Sequence, residues 1–306
     1  MGATDRIPAD RRETWIAVAL VALAVLLRAW HVGWGLPDFT EEAIPLDLSF
    51  AMRSVATGAL DLNPHAFSYP TLGIYLHLFV QQCVFWIGRL TGTWSNAADY
   101  QLAFYLDPSP MVLAARGVGI ACDALAVLAA WRLGRRFSRP TGLAAALLVA
   151  LSASMIVTAR SVYVDSIMTC LSLWALERML AWHASGGRGR LVAAAALVGL
   201  AAGAKYPAAV LMLPLALLAL VGEGRRGVRS IAIAAGLAAV TFLVTTPYAV
   251  LDATAFLRDF SFEGHHAAAG HLGSEGHRSF AFHMENLARD LGWPALIALV
   301  VSPIVA

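Results

Sequence analysis

Apolar residues run along this chain in blocks of helix length. Stretches near 14–30, 70–90, 111–133, 140–159, 161–182, 191–204, 206–222, 230–250 and 291–306 are almost free of charge, and polar residues collect between them. A helix crossing a bilayer needs about 20 apolar residues. The pattern therefore predicts an all-α fold, a polytopic bundle of transmembrane helices. Several blocks are rich in Ala and Gly, which lets helices pack closely. The first block follows Arg6, Arg11 and Arg12 and lacks a small-residue cleavage site, so it reads as a signal anchor with its N-terminus inside. The last block ends at Ala306 without a charged flank, as expected of a chain cut short.

Arginine placement sets the expected sides. The loops holding Arg132, Arg135, Arg136 and Arg139, then Arg178, Arg188 and Arg190, then Arg225, Arg226 and Arg229 all read as cytoplasmic. They agree with Arg12 only if one earlier block fails to cross. The block 70–90 opens on Tyr69-Pro70-Thr71 and holds His77, Gln81, Gln82 and Trp86, a polarity suited to an interfacial helix. If it does cross, the arginine rule is broken instead. With 70–90 interfacial, most acids and nearly all His face outward. One module, 1–306, then carries two outer segments: 31–110, with interfacial helices, and 251–290.

Composition narrows the class. The 306 residues are 59% hydrophobic and 14% charged, against about 25% charged in soluble domains. A soluble enzyme, a disordered chain and a disulfide scaffold are excluded. A net charge of +2 gives no reason to expect nucleic acid, and Cys83, Cys122 and Cys170 show neither disulfide nor metal spacing. Of the 22 cations only Lys205 is lysine.

The first outer segment holds Thr40-Glu41-Glu42, then a run from Leu46 to Ala59 that reads as a short helix stopped at Gly58, then Asn63-Pro64-His65 and Tyr69-Pro70-Thr71. Adjacent carboxylates can serve as a general base or bind a cation. They also fit Thr40 as an N-cap with Glu in the first helical turn. Arg28, Arg116, Arg160 and Lys205 fall near the outer ends of predicted spans, beside the carboxylates Glu41, Glu42 and Asp165. Charges at that depth have partners or a function. Any one Arg can instead snorkel to headgroups. Four cations at one depth beside three acids point to a phosphate site.

The order Thr40-Glu41-Glu42, Gly58, Asn63-Pro64-His65, Tyr69-Pro70-Thr71-Leu72 and Tyr75 resembles the GT-C membrane glycosyltransferases, closest to the protein O-mannosyltransferase and aminoarabinose transferase branch. Arg116, Gly134-Arg135-Arg136-Phe137, Ala159-Arg160, Asp165, Gly203-Ala204-Lys205-Tyr206-Pro207 and Thr246-Pro247-Tyr248 continue the likeness. One departure is that the family's Asp-Glu pair is Glu41-Glu42 here, which leaves open which carboxylate is the base. The resemblance implies a hexosyl- or pentosyltransferase that takes a sugar from a polyprenyl-phosphate carrier to an acceptor hydroxyl on a protein, lipid or glycan, with inversion. It implies Glu41 as catalytic base, Glu42 as second acid and Asp165 as helper. Arg28, Arg116, Arg160 and Lys205 would bind phosphate, and Tyr69 and Tyr206 would line the sugar site. The enzyme would lie in a bacterial inner membrane among its lipids, its site facing the periplasm or exterior.

Three features lie outside that reading. His265, His266, His271, His277 and His283 fall in a Gly-rich stretch that reads as a mobile loop with a structural or acceptor-binding role, or else a divalent-metal site. Asp123, mid-block, is either a packing hydrogen-bond partner or part of a relay. The rival functions are a secondary transporter, which the lack of an internal repeat disfavours, and a lipid-binding subunit without catalysis.

Overall fold

The computed structural model describes residues 11–38, 43–54, 56–269 and 280–291. Glu41, Glu42, His271, His277, the side chain of His283 and residues 292–306 of the last apolar block lie outside these. The described chain is all helix and turn: α1 (Arg11–Ala29), α2 (Ile44–Ala51), α3 (Thr71–Thr91), α4 (Ala97–Leu106), α5 (Ser109–Gly134), α6 (Arg139–Leu151) and α7 (Ala153–Ala159). It continues through α8 (Asp165–Ser185), α9 (Arg188–Ala204), a 3-10 turn (Tyr206–Leu211), α10 (Met212–Glu223), α11 (Gly227–Thr245), α12 (Tyr248–Leu251), α13 (Ala253–Ala269) and α14 (Phe280–Leu291).

Local chemistry sets the boundaries. Asn96 and Ser138 cap α4 and α6 by accepting the N–H of Asp99 and of Thr141. Pro70, extended, opens α3, and Gly92 closes it in the left-handed region at φ +77°. Ser152 ends α6 and caps α7, and the two helices meet at 54°. The expected helix Leu46–Ala59 is shorter than its pattern. It stops at Ala51, because Arg53 bridges back to Leu60 around Gly58.

Two cores hold the bundle. Ala175, Met179 and Trp182 of α8 pack with Leu191, Ala194, Ala195 and Val198 of α9, Leu215 and Ala219 of α10, and Ala234 and Ala238 of α11. Ala17 and Ala24 of α1 pack with Val127 and Trp131 of α5 and with Ala146 and Ala150 of α6. Small side chains bring backbones into contact: a Cβ on Gly199 would sit 2.4 Å from the Ala238 carbonyl oxygen. Beside the second core, Arg28 Nε meets Asp123 Oδ2 at 2.8 Å, both side chains buried, and Arg28 also donates to the Ala150 and Val149 carbonyls. Asp123 thus packs against Arg28, and not against Arg116 on its own helix.

Ion pairs fix which helix ends lie together. Glu13 at the start of α1 pairs with Arg135 at 3.2 Å and Arg139 at 3.0 Å, just past the end of α5. Glu177 gathers Arg136 (2.6 Å), Arg132 and Arg178. The end of α1 and the start of α5 therefore share the opposite end of the bundle, so the segment between them leaves and returns on one side.

By length and composition Thr71–Thr91, Ser109–Gly134 and the run Tyr206–Thr245 can cross a membrane, and the bent α6–α7 pair makes a fourth candidate. The run Tyr206–Thr245 folds back on itself at Gly224–Arg226, where Gly224 takes φ +57°. Among the remaining blocks, α1 keeps Arg11, Arg12, Glu13 and Arg28, and α9 has 17 residues. With 8 and 10 residues, α2 and α4 are too short to span about 30 Å. Gly73 of α3 abuts Val164 before α8, and Gln81 donates to the Met111 carbonyl at the start of α5.

Candidate functional site

At that opposite end the starts of α3, α5 and α8 meet the ends of α1, α7, α9 and α11. Asp165 is the first residue of α8, where the helix dipole favours an acid, and Lys205 follows the last turn of α9, where it favours a cation. Lys205 Nζ donates to Asp165 Oδ1 at 2.8 Å, and both side chains remain about one third exposed (31% and 37%). The lone lysine and the outer aspartate named from sequence are thus one accessible pair.

The 61–71 segment is docked beside them. Asn63 Nδ2 donates to Asp252 Oδ2 (2.8 Å), the Phe67 amide to Asp259 Oδ2 (2.9 Å), and the Tyr206 hydroxyl to the Phe67 carbonyl (2.9 Å). Tyr75 reaches the Leu62 carbonyl, and Thr71 hydrogen-bonds Thr245 and Thr246 at the end of α11. His65 sits in the left-handed region at φ +55°, held by its ring on Asp61 (2.9 Å) and its amide on Asn63 (3.0 Å). The bond from His65 is the main cause that holds the Asp61 carboxyl below its ordinary value, with the Asn63 amide next. Tyr69 lies half-buried in the same segment.

Residues 251–290, expected as a mobile loop, are helical over most of the described part. Asp252 caps α13 through the Ala255 amide. Phe256 and Phe260, one turn apart, stack on each other and meet Tyr206 edge-on at 6.2 and 5.0 Å. That aromatic spacing, i and i+4, was legible in the sequence beneath its Gly and His content. Asp252 and Asp259, which anchor the 61–71 segment, were the site residues that sequence reasoning missed.

Behind Tyr206 an apolar cavity of about 390 Å³ opens between α9, α10 and α11, walled by Ala202, Met212, Ala238, Phe242, Phe256 and Phe260. Lys205 of the Lys205–Asp165 pair is one residue from its Tyr206 wall.

The other sequence-named cations do not reach this pair by any hydrogen bond. Arg28 is held by Asp123. Arg116 is fully buried, donates to the Val32 and Trp34 carbonyls and lies 4.7 Å over the Trp34 ring. Arg160 donates to the Leu27 carbonyl, while the Trp34 indole donates to the Arg160 carbonyl. These three arginines fix the 27–34 turn that leads into the acidic pair. On the far flank of that pair, Ala43 is buried against Val112, Ala115 and Val162, and Leu36 packs on the same cluster. Among the described residues no three His, Cys, Asp or Glu side chains gather closely enough to hold a metal ion. His265 stands exposed and His266 half-buried on α13.

Residues 104–250 match the family model described as dolichyl-phosphate-mannose-protein mannosyltransferase, of the GT-C superfamily. The stretch contains Arg116, Arg160, Asp165, Lys205 and Tyr206, and the likeness supports a GT-C membrane glycosyltransferase. Comparison with curated proteins and with solved structures gave no match.

Proposed function

We propose that this chain transfers a sugar from a polyprenyl-phosphate carrier to an acceptor hydroxyl, at the end of the bundle where Lys205 and Asp165 lie. The observation that carries the reading is the apolar cavity beside a lysine about one third exposed. A prenyl-phosphate donor has just these two parts, a hydrocarbon chain and an anionic head. The family description, which names a dolichyl-phosphate-linked mannose, supports the same donor class.

In this reading the prenyl chain lies along Tyr206, Phe242 and Phe256, and the phosphate meets Lys205. An ammonium has three N–H donors. Asp165 takes one, so two stay free for phosphate oxygens. Arg160 adds charge, while Arg28 and Arg116 fix the 27–34 turn that precedes the acids in sequence. Tyr69 and Tyr206 border the sugar.

The chemistry needs a base and a cation. The acceptor oxygen attacks the anomeric carbon from the face opposite the phosphate, so the centre inverts. The C1–O bond to phosphate breaks, and polyprenyl phosphate leaves with the electron pair. A carboxylate takes the acceptor proton as the new bond forms, and Lys205 takes up the charge that develops on the leaving phosphate. We assign the base to Glu41, with Glu42 as second acid and Asp165 as a helper that orients Lys205. Glu42 is joined directly to Ala43, which is buried beside Ala115 and Val162. The site faces the exterior of a bacterial inner membrane, opposite the arginine-rich loops.

Radiolabelled sugar transfer from a polyprenyl-phosphate donor by membranes carrying wild type or Glu41→Gln tests this. The expected result is transfer by wild type and a fall of at least about 100-fold in the variant, the scale of lost general-base catalysis, with expression and melting unchanged. Equal transfer by both would overturn the assignment of Glu41, and no transfer by either would overturn the reaction.

A further inference from the structure

The opposite end of the bundle holds a second and larger cavity, which the transfer reaction does not use. It measures about 740 Å³ and lies between the end of α8, the start of α9, the end of α10 and the start of α11. Trp182, Leu191 and Ile233 form its floor, and Arg188, Arg226 and Arg229 line it with Glu223 and Ser230. Glu223 is the single acid, and it is engaged: Ser230 donates to its carboxylate at 2.6 Å. None of the three arginines makes an ion pair among the described residues, unlike their neighbours Arg132, Arg135, Arg136, Arg139 and Arg178, which Glu13 and Glu177 hold.

The backbone reinforces the positive field. The start of α9 lies in the cavity wall behind Gly187, at φ +95°, and no side chain caps it. The start of α11 follows Arg226, again without a side-chain cap. First-turn N–H groups and helix dipoles favour an anion at both places. An apolar floor under a ring of three unpaired guanidiniums suits a ligand with a phosphate head and acyl chains, since basic pockets between transmembrane helices bind such heads.

We propose that this cavity is a phosphate-binding site, filled by the headgroup of an anionic phospholipid, in which Arg188, Arg226 and Arg229 hold the phosphate. It is independent of sugar transfer, and neither reading requires the other.

The test uses the full chain purified in neutral detergent. Thermal unfolding is followed with added phosphatidylglycerol, phosphatidylcholine or inorganic phosphate, for wild type, Arg188→Gln/Arg226→Gln/Arg229→Gln and the matching triple Lys variant. The expected result is an upward shift in Tm with phosphatidylglycerol but not phosphatidylcholine, retained in the Lys variant and lost in the Gln variant. Native mass spectrometry should show roughly fivefold weaker retention of phosphatidylglycerol for each arginine neutralised, the factor for about 1 kcal/mol per charge. A matching shift with inorganic phosphate that the Gln variant loses supports the phosphate site and overturns the lipid as its occupant. No shift in wild type with either probe overturns the proposal, as does an equal shift in a folded Gln variant. If the Gln variant does not fold, the wild-type comparison of phosphatidylglycerol with phosphatidylcholine decides by itself.

Discussion

The sharpest structural prediction concerns Arg28, which sequence alone places among the phosphate ligands. In the fold its guanidinium is wholly buried and lies 2.8 Å from Asp123, with further bonds to the Ala150 (2.9 Å) and Val149 (3.1 Å) carbonyls. Removing one member of such a pair leaves an uncompensated charge in a low-dielectric interior, at a cost of about 3–5 kcal/mol. Asp123→Ala should fall near the lower limit, because the Ala24, Ala150 and Val149 carbonyls still accept from Arg28. Arg28→Met should cost more, because it strands the carboxylate. The double variant Arg28→Met/Asp123→Leu removes both charges and fills similar volume, so it should lie closer to wild type than either single change. Unfolding by sodium dodecyl sulfate, followed by fluorescence of the 9 tryptophans, gives each difference. Sugar transfer by the double variant then separates two roles: a positioning arginine leaves transfer near wild type, and a phosphate ligand does not. The reasoning is refuted if Asp123→Ala costs less than about 1 kcal/mol, or if the double variant costs as much as the two singles summed.

Two further expectations follow from packing and titration. Gly199→Ala forces a Cβ to 2.4 Å from the Ala238 oxygen and 2.8 Å from Thr241 Cβ, so it should destabilise by about 1–3 kcal/mol. Gly236→Ala, in α11 with open space around it, should be neutral or stabilise by up to about 1 kcal/mol, and the same unfolding assay compares the two. The hydrogen bond from Arg258 holds the Asp259 carboxyl below the ordinary 3.8, with the Phe67 amide adding to the effect against partial burial. Its contribution is therefore complete above about pH 4 and lost only as pH falls through the lower folded value. Hydrogen exchange of peptides covering 61–70 should show protection that holds to that point in wild type, and Asp259→Asn should remove the pH dependence.

The helices were legible because they are blocks of apolar residues bounded by Pro, Gly and capping side chains. Of the basic residues read from sequence, Glu13 and Glu177 hold Arg132, Arg135, Arg136, Arg139 and Arg178 at one end of the bundle. Less legible was anything that depends on a contact between distant segments. Asp123 lies mid-block, seven residues from Arg116 on the same helix, yet its partner is Arg28 on α1, 95 residues away. Asp252 and Asp259 looked like ordinary loop acids, and their role became visible only when Asn63 and the Phe67 amide folded onto them. The His-rich stretch misled in the opposite direction. Its composition suggested a loop, while Phe256 and Phe260 one turn apart fasten α13 against Tyr206.

The division between arginine and lysine at the candidate site has a physical basis. A guanidinium is a planar fork of five donors, suited to several fixed acceptors at once. Arg28, Arg116 and Arg160 each end on backbone carbonyls of other segments, and so fasten the 27–34 turn to the bundle. An ammonium is a compact charge on a flexible stem, and Lys205 has one protein acceptor, Asp165. It can swing to a ligand without loosening any turn, since no carbonyl of the scaffold depends on it. An arginine at 205 could grip Asp165 with two donors and hold it more rigidly. A lysine leaves the pair open at about one third exposure, next in sequence to Tyr206 in the wall of a cavity lined by no charged residue. In the proposed reaction the single lysine among 22 cations would supply a movable charge, and not a structural one, to the departing phosphate.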